Sequence, residues 1–180
     1  MNKKLILFLF TLCFFGCNQR EEFKASTGLL YFDVDGFFKQ EVARLKKVNP
    51  EVVKEVSVNG TTEQSAIHIP NWEKELAIFS NADINKASWK GSFEIQKTEN
   101  TESYTSNNKR IPVKKVLVYR YHSKVNKLEI IISNKNILYS SGDTLLYYPD
   151  SLYQIKKHQK IKLMKAKTYG VTGRFKQKKA

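Results

Sequence analysis

The chain has 180 residues, of which 12% are aromatic and 41% hydrophobic. That composition excludes a disordered stalk, and the chain holds no internal repeat and no long low-complexity segment. Its 31 Lys and Arg against 17 Asp and Glu give a formal net charge of +14.

The first residues read as an export signal. Met1 to Lys4 carries two lysines and no acid, and Leu5 to Phe15 is an almost unbroken apolar run of eleven residues. A bilayer-spanning helix needs about 20 apolar residues. This run is about half that and is followed at once by polar Asn18, Gln19, Arg20, Glu21 and Glu22. A positive start, a short apolar centre and a small residue at the cut predict a secretory signal over residues 1–16. Cys13 would leave with it, and Cys17 would be the one cysteine left. An intramolecular disulfide is then impossible, so stability must come from an ordinary core. A leftover thiol on an exported protein needs a role.

Phe14-Phe15-Gly16-Cys17 resembles the lipobox of bacterial lipoproteins, in which a small residue precedes a cysteine. The resemblance implies removal of residues 1–16 and lipidation of Cys17. Phe14 stands where Leu is usual, and Phe15 is bulkier than usual. Residues 17–28 read as a lipidated, polar, flexible tether. Gln19-Arg20-Glu21-Glu22 resembles the acidic signal that sends lipoproteins of the Bacteroidota to the cell surface; a solvated tether is the alternative.

Residues 29–176 predict a single α+β domain. Val34, Phe38, Val42 and Leu45 recur at helical spacing, with Phe37 and Val48 widening the stripe. Asp33 is placed to cap this helix, and Asn49-Pro50 ends it. Glu51 to Val58 and Thr61 to Ile69 are β-rich runs around Asn59-Gly60, a strong hairpin signal. Asn71 caps a second helix with Trp72, Leu76 and Phe79 on its buried stripe; Glu73 and Glu75 in its first turn suit the helix dipole. Asp83 to Lys86 breaks it before a short turn near Trp89.

From Gly91 onward the pattern is of strands. They are expected at Ser92 to Lys97, Ile111 to His122, Lys127 to Ser133, Ile137 to Tyr139, Thr144 to Tyr148, Tyr153 to Lys157, Lys160 to Lys165 and Thr168 to Phe175. Thr98 to Lys109 reads as a polar loop, and Ser140-Ser141-Gly142-Asp143 as a turn. Short gaps imply an antiparallel meander. The expected fold is two N-terminal helices packed on a largely antiparallel sheet of about six to eight strands. The segment from Trp72 through Ala82-Asp-Ile-Asn-Lys to Trp89, with the Gly142 region and Tyr153-Gln-Ile, resembles a family of uncharacterised Bacteroidota lipoproteins. That family implies a location at the outer membrane and no particular activity.

The charge is uneven. Residues 18–102 hold 11 basic and 14 acidic residues, residues 103–180 hold 18 basic and three acidic, and Ser151 to Ala180 has ten basic and no acid. Such asymmetry suggests an anionic partner: phospholipid headgroups, lipopolysaccharide phosphates, an acidic polymer or nucleic acid. Nucleic acid is the least fitting for an exported protein. A surface filled with lysine by an AT-rich genome is the competing explanation. Alternation along Lys160-Ile161-Lys162-Leu163 puts the two lysines on one face, with Lys156 nearby and Lys165 and Lys167 in the adjoining turn. These five lysines are the candidate anionic surface.

No catalytic set emerges. The chain has no Gly-x-Ser-x-Gly, no His-Glu-x-x-His and no phosphate-cradling glycine loop. His68, His122 and His158 are widely separated, and Asp33-Val-Asp35-Gly36 lacks the remaining ligands of a calcium loop. Neither a metal nor a cofactor is expected. Trp72 and Trp89 fit core packing or a stacking platform. The sequence-level reading is a lipid-anchored envelope protein that binds or docks an amphiphile or a partner. The alternative is a glycan or polymer hydrolase, whose facing carboxylates would come from the first half, for example Glu73 or Asp83.

Overall fold

The computed structural model describes residues 28–176. The signal, Cys17 and the tether up to residue 27 lie outside the described residues. The elements in chain order are α1 (Val34–Val48), β1 (Glu51–Val58), β2 (Thr61–His68), α2 (Trp72–Ser80), a 3-10 turn (Ala87–Trp89), β3 (Glu94–Lys97), β4 (Thr101–Thr105), β5 (Val113–Tyr121), β6 (Lys124–Lys135), β7 (Tyr139–Tyr148), β8 (Leu152–Ile161) and β9 (Lys167–Phe175). All strands pair antiparallel in one sheet of order β2-β1-β9-β8-β7-β6-β5-β4-β3. The run from β3 to β9 is a meander, and the β1–β2 hairpin joins it beside β9. The fold is α+β as expected. The strands number nine rather than six to eight, and the β1–β2 hairpin separates the two helices.

Local chemistry sets the helix ends. The Gly36 amide donates to Asp33 Oδ1 at 2.8 Å, and the Lys74 amide to Asn71 Oδ1 at 2.8 Å. Each bond satisfies a donor that the first helical turn leaves unpaired. Asn49 ends α1 in the left-handed region at φ 44°, ahead of Pro50. Asn59 and Gly60 take φ 50° and 93°, the geometry of a type I′ hairpin turn.

Several readings of the sequence are corrected. Val48, placed on the stripe of α1, is 49% exposed at the end of the helix, and Ile137 and Leu138, expected in a strand, lie in the turn between β6 and β7. The polar stretch Thr98 to Lys109 contains β4. Its Tyr104 is buried against Tyr31, with ring centroids 5.9 Å apart, while the intervening polar side chains lie on the wetter face. Ser140 to Asp143 lies in the first half of β7, where Gly142 pairs with Ser133 on one side and His158 on the other. The turn lies earlier, where Asn136 Oδ1 accepts from the amides of Leu138 and Tyr139 at 2.9 and 2.8 Å. Lys160 to Lys165 is not a strand: β8 continues unbroken to Ile161, and the chain then turns, with Leu163 at φ 67°.

Both helices pack on the same face of the sheet. Val34, Phe38, Val42 and Leu45 of α1 and Trp72, Leu76 and Phe79 of α2 are buried over Leu128, Ile130, Leu145, Tyr147 and Tyr153. Phe38, Phe79 and Tyr147 form an aromatic cluster with centroids 4.9–6.0 Å apart. Trp72 packs between Tyr153 and Phe175, so its role is in the core. Each such buried side chain contributes roughly 1.5–3 kcal/mol. Tyr153 lies across Gly173, where any Cβ would fall inside its ring; the glycine is the space the ring needs.

Candidate functional site

The five lysines divide into two groups. Lys156 and Lys160 alternate with Lys157 on β8 and point to the sheet face opposite the helices, with His158 between them. The pairing register Lys135–Ser140–Lys160 sets Lys135 and Lys160 on that same face, two strand spacings or roughly 10 Å apart. Lys162 and Lys165 are in the β8–β9 turn, and Lys167 opens β9. All five are exposed. Lys160, Lys162, Lys165 and Lys167 share one end of the sheet. Lys156 lies inward, four residues along β8 from Lys160.

The β6–β7 and β8–β9 turns touch. The Lys162 amide donates to the Leu138 carbonyl at 2.8 Å. Alternation put Ile161 and Leu163 together on the face opposite Lys160 and Lys162. The structure leaves Ile161 38% and Leu163 99% exposed, because β8 ends at Ile161 and alternation ends with it. Ile137 at 88%, Leu138 at 64% and Met164 at 54% stand beside them. Residues 133–142 and 159–168 contain no acid. The result is an exposed apolar tip among lysines. Sequence reasoning missed Lys135, Ile137, Leu138 and Met164. The available signal was two apolar pairs, Ile137-Leu138 and Leu163-Met164, at positions that β-turn chemistry normally fills with polar residues.

Behind the tip, the open face carries a groove of about 400 Å³ across β1, β9, β8 and β7. Gly142 and Gly170 floor it, and Lys156, His158, Gln154, Thr172 and Glu55 line it. A side chain at Gly170 would collide with Ser57 Oγ. A second groove of about 620 Å³ lies at the opposite end, among Arg44, Val48, Glu51, Asp150 and Phe175. Both are open to solvent, as is a third of about 330 Å³ where the start of α2, at Asn71, Lys74 and Glu75, meets Lys54, Ile155 and Val171 of the sheet.

The buried and half-buried carboxylates have structural partners. Tyr147 donates its hydroxyl to Glu41 at 2.6 Å, and Glu41 is paired with Arg44 at 2.7 Å. Tyr153 donates to Glu75 at 2.5 Å, and Lys54 pairs with Glu75 at 2.7 Å. Tyr104 donates to Glu102, which Arg120 holds at 2.8 Å. Each unit lets a buried phenol keep a hydrogen bond at the border of the core. Burial, then the neighbouring carboxylate, raises each of these phenols above its ordinary pKa. Of the two carboxylates proposed for hydrolysis, Glu73 is paired with Lys46. Asp83 accepts from the Asn85 amide at 2.9 Å, and the Asn85 side chain in turn bonds the backbone of Tyr31 and Phe32.

Asp143 is the exception. It is buried on the helix-facing side, Oδ1 has no hydrogen-bond partner, and Lys157 Nζ is 3.6 Å from Oδ2. Burial raises its carboxyl above the ordinary range, with Lys157 acting against that rise. Asp33 caps α1 and Asp35 pairs with Lys39 at 2.6 Å. His68 Nδ1 lies 3.0 Å from the Asn49 carbonyl oxygen, and His122 meets Tyr121 edge-on. Among the described residues no three His, Cys, Asp or Glu side chains converge as a metal site requires. No family model, no curated protein and no solved structure matches the chain.

Proposed function

We propose that the chain is a lipid-anchored protein of the bacterial cell envelope, held in the outer membrane through Cys17, whose domain docks on anionic lipid by its lysine-bearing end. The Lys162–Leu138 hydrogen bond carries this reading, because it joins two turns remote in sequence and gathers Lys135, Lys160, Lys162, Lys165 and Lys167 at one end. Lysines near an anionic surface each contribute about 1 kcal/mol of attraction. The grooves are open to solvent rather than enclosed, which supports docking over carriage of an amphiphile inside the domain. One acyl chain alone binds a bilayer marginally, so a basic surface beside the anchor would fix the domain's orientation as well as its residence.

The test uses residues 18–180 without lipid. Among the described residues every buried hydrophobic one lies between Tyr31 and Tyr153, so this segment carries the core described above. It is expected to sediment with phosphatidylglycerol-containing vesicles and not with pure phosphatidylcholine. Raising salt should release it, as the screening length falls from about 8 Å at physiological strength to about 3 Å at 1 M. Equal sedimentation with both vesicle types would leave genome composition as the explanation of the charge.

A further inference from the structure

We propose that the joined β6–β7 and β8–β9 turns form an insertion tip, whose Ile137, Leu138, Leu163 and Met164 enter the acyl boundary of an anionic bilayer while the surrounding lysines hold the headgroups. This rests on the docking reading above and adds a depth to it.

The first observation is the exposure of four large apolar side chains on two turns that touch. Asn136 performs the turn chemistry of the β6–β7 connection through its side-chain oxygen, which leaves the side chains of Ile137 and Leu138 without a role in making the turn. Leu163 is held in the left-handed region at φ 67° with its side chain 99% exposed. That backbone conformation is unfavourable for a side chain with a Cβ, and nothing in the domain packs on this leucine to compensate.

The second observation is charge complementarity. The turns carry Lys162 and Lys165, strand ends add Lys135, Lys160 and Lys167, and no acid lies among them. Lysines whose stems run beside apolar tips match a bilayer, where anionic headgroups lie above hydrocarbon. An acidic polymer would engage the ammonium groups and leave Ile137 and Leu163 in water.

The third observation is where the described chain begins. Gly28 to Tyr31 lies against Asn85 to Lys90, the segment that leads into β3. Through the antiparallel register, β3 starts toward the end of the sheet at which β6 and β8 finish. The eleven residues 17–27 can span at most roughly 40 Å. Five strand spacings, about 24 Å, separate β3 from β8. A lipid on Cys17 and the tip can therefore reach the same leaflet.

The experiment labels residues 18–180, which contain no cysteine, with nitrobenzoxadiazole on L163C or, at the opposite end of the sheet, on Y121C. Vesicles of phosphatidylglycerol and phosphatidylcholine are used with and without acyl-chain nitroxide lipids. The label on L163C should shift to the blue and be quenched by the acyl nitroxide, and the label on Y121C should not. The unlabelled double variant I137S/L163S should bind these vesicles at least about tenfold more weakly, with an unchanged melting temperature because neither side chain touches the core. Binding without quenching at either position, or an unchanged affinity of the double variant, overturns insertion and leaves electrostatic docking standing. Absence of binding by the parent polypeptide overturns both.

Discussion

The backbone amide of Lys162 donates to the carbonyl oxygen of Leu138 at 2.8 Å, so the tips of two neighbouring hairpins act as one surface. Their lysines should then work together. Changing Lys135, Lys160 and Lys162 to Gln should weaken binding to anionic vesicles on the order of 100-fold, if each lysine contributes about 1 kcal/mol. Changing Lys47, Lys74 and Lys124, which are exposed and placed away from the tip, should change it little. Equal losses in the two triple variants, measured by co-sedimentation, would mean that net charge alone governs binding.

Leu76 on α2 and Ile130 on β6 are both fully buried, one from each layer. Truncating either to Ala should cost about 2–5 kcal/mol. Chemical denaturation of residues 18–180 measures this directly. A cost under about 1 kcal/mol in both would contradict the packing of α2 on the sheet.

Asp143 should make stability depend on pH in an unusual direction. A carboxyl whose pKa is raised by folding favours the protonated form in the native state. Its charged form is penalised at neutral pH, and that penalty fades as pH falls through the native pKa and is gone below the unfolded value. Asp143→Asn should therefore melt above the parent at pH 7, and the gap should narrow toward pH 4. A variant that melts lower at pH 7 would show that the Lys157 contact outweighs the burial cost.

Cys17→Ser should leave the domain folded and abolish both palmitate labelling and retention in the membrane pellet after a high-salt wash. Salt removes the lysine contribution, so what remains reports the covalent lipid. A serine variant that stays in the washed pellet and keeps its label would refute lipidation at this position.

Features set within a few residues were legible in the sequence. The caps at Asp33 and Asn71, the Asn59-Gly60 hairpin and the central buried stripes of both helices depend on local geometry, and the structure has them where the spacing put them, Val48 at the end of α1 excepted. Features set across the sheet were not. Ser140-Ser141-Gly142-Asp143 has turn composition, yet hydrogen bonding from both neighbours holds it extended. Gly173 looks like a strand weakness, and only the Tyr153 ring above it gives the reason. For the candidate site, the basic C-terminal stretch was visible as charge. The grouping was not, because a contact between two hairpin turns brings in Lys135 and Ile137 and leaves Lys156 inward at the groove.

Amide hydrogen exchange of residues 18–180 on anionic vesicles tests the docking account most directly, since it reports every turn of the sheet at once. The account predicts slowed exchange at residues 135–138 and 161–166 when vesicles are added. It predicts unchanged exchange at the opposite turns, Tyr121 to Lys124 and Tyr148 to Ser151. Protection confined to those opposite turns, or spread evenly over both ends, would contradict it.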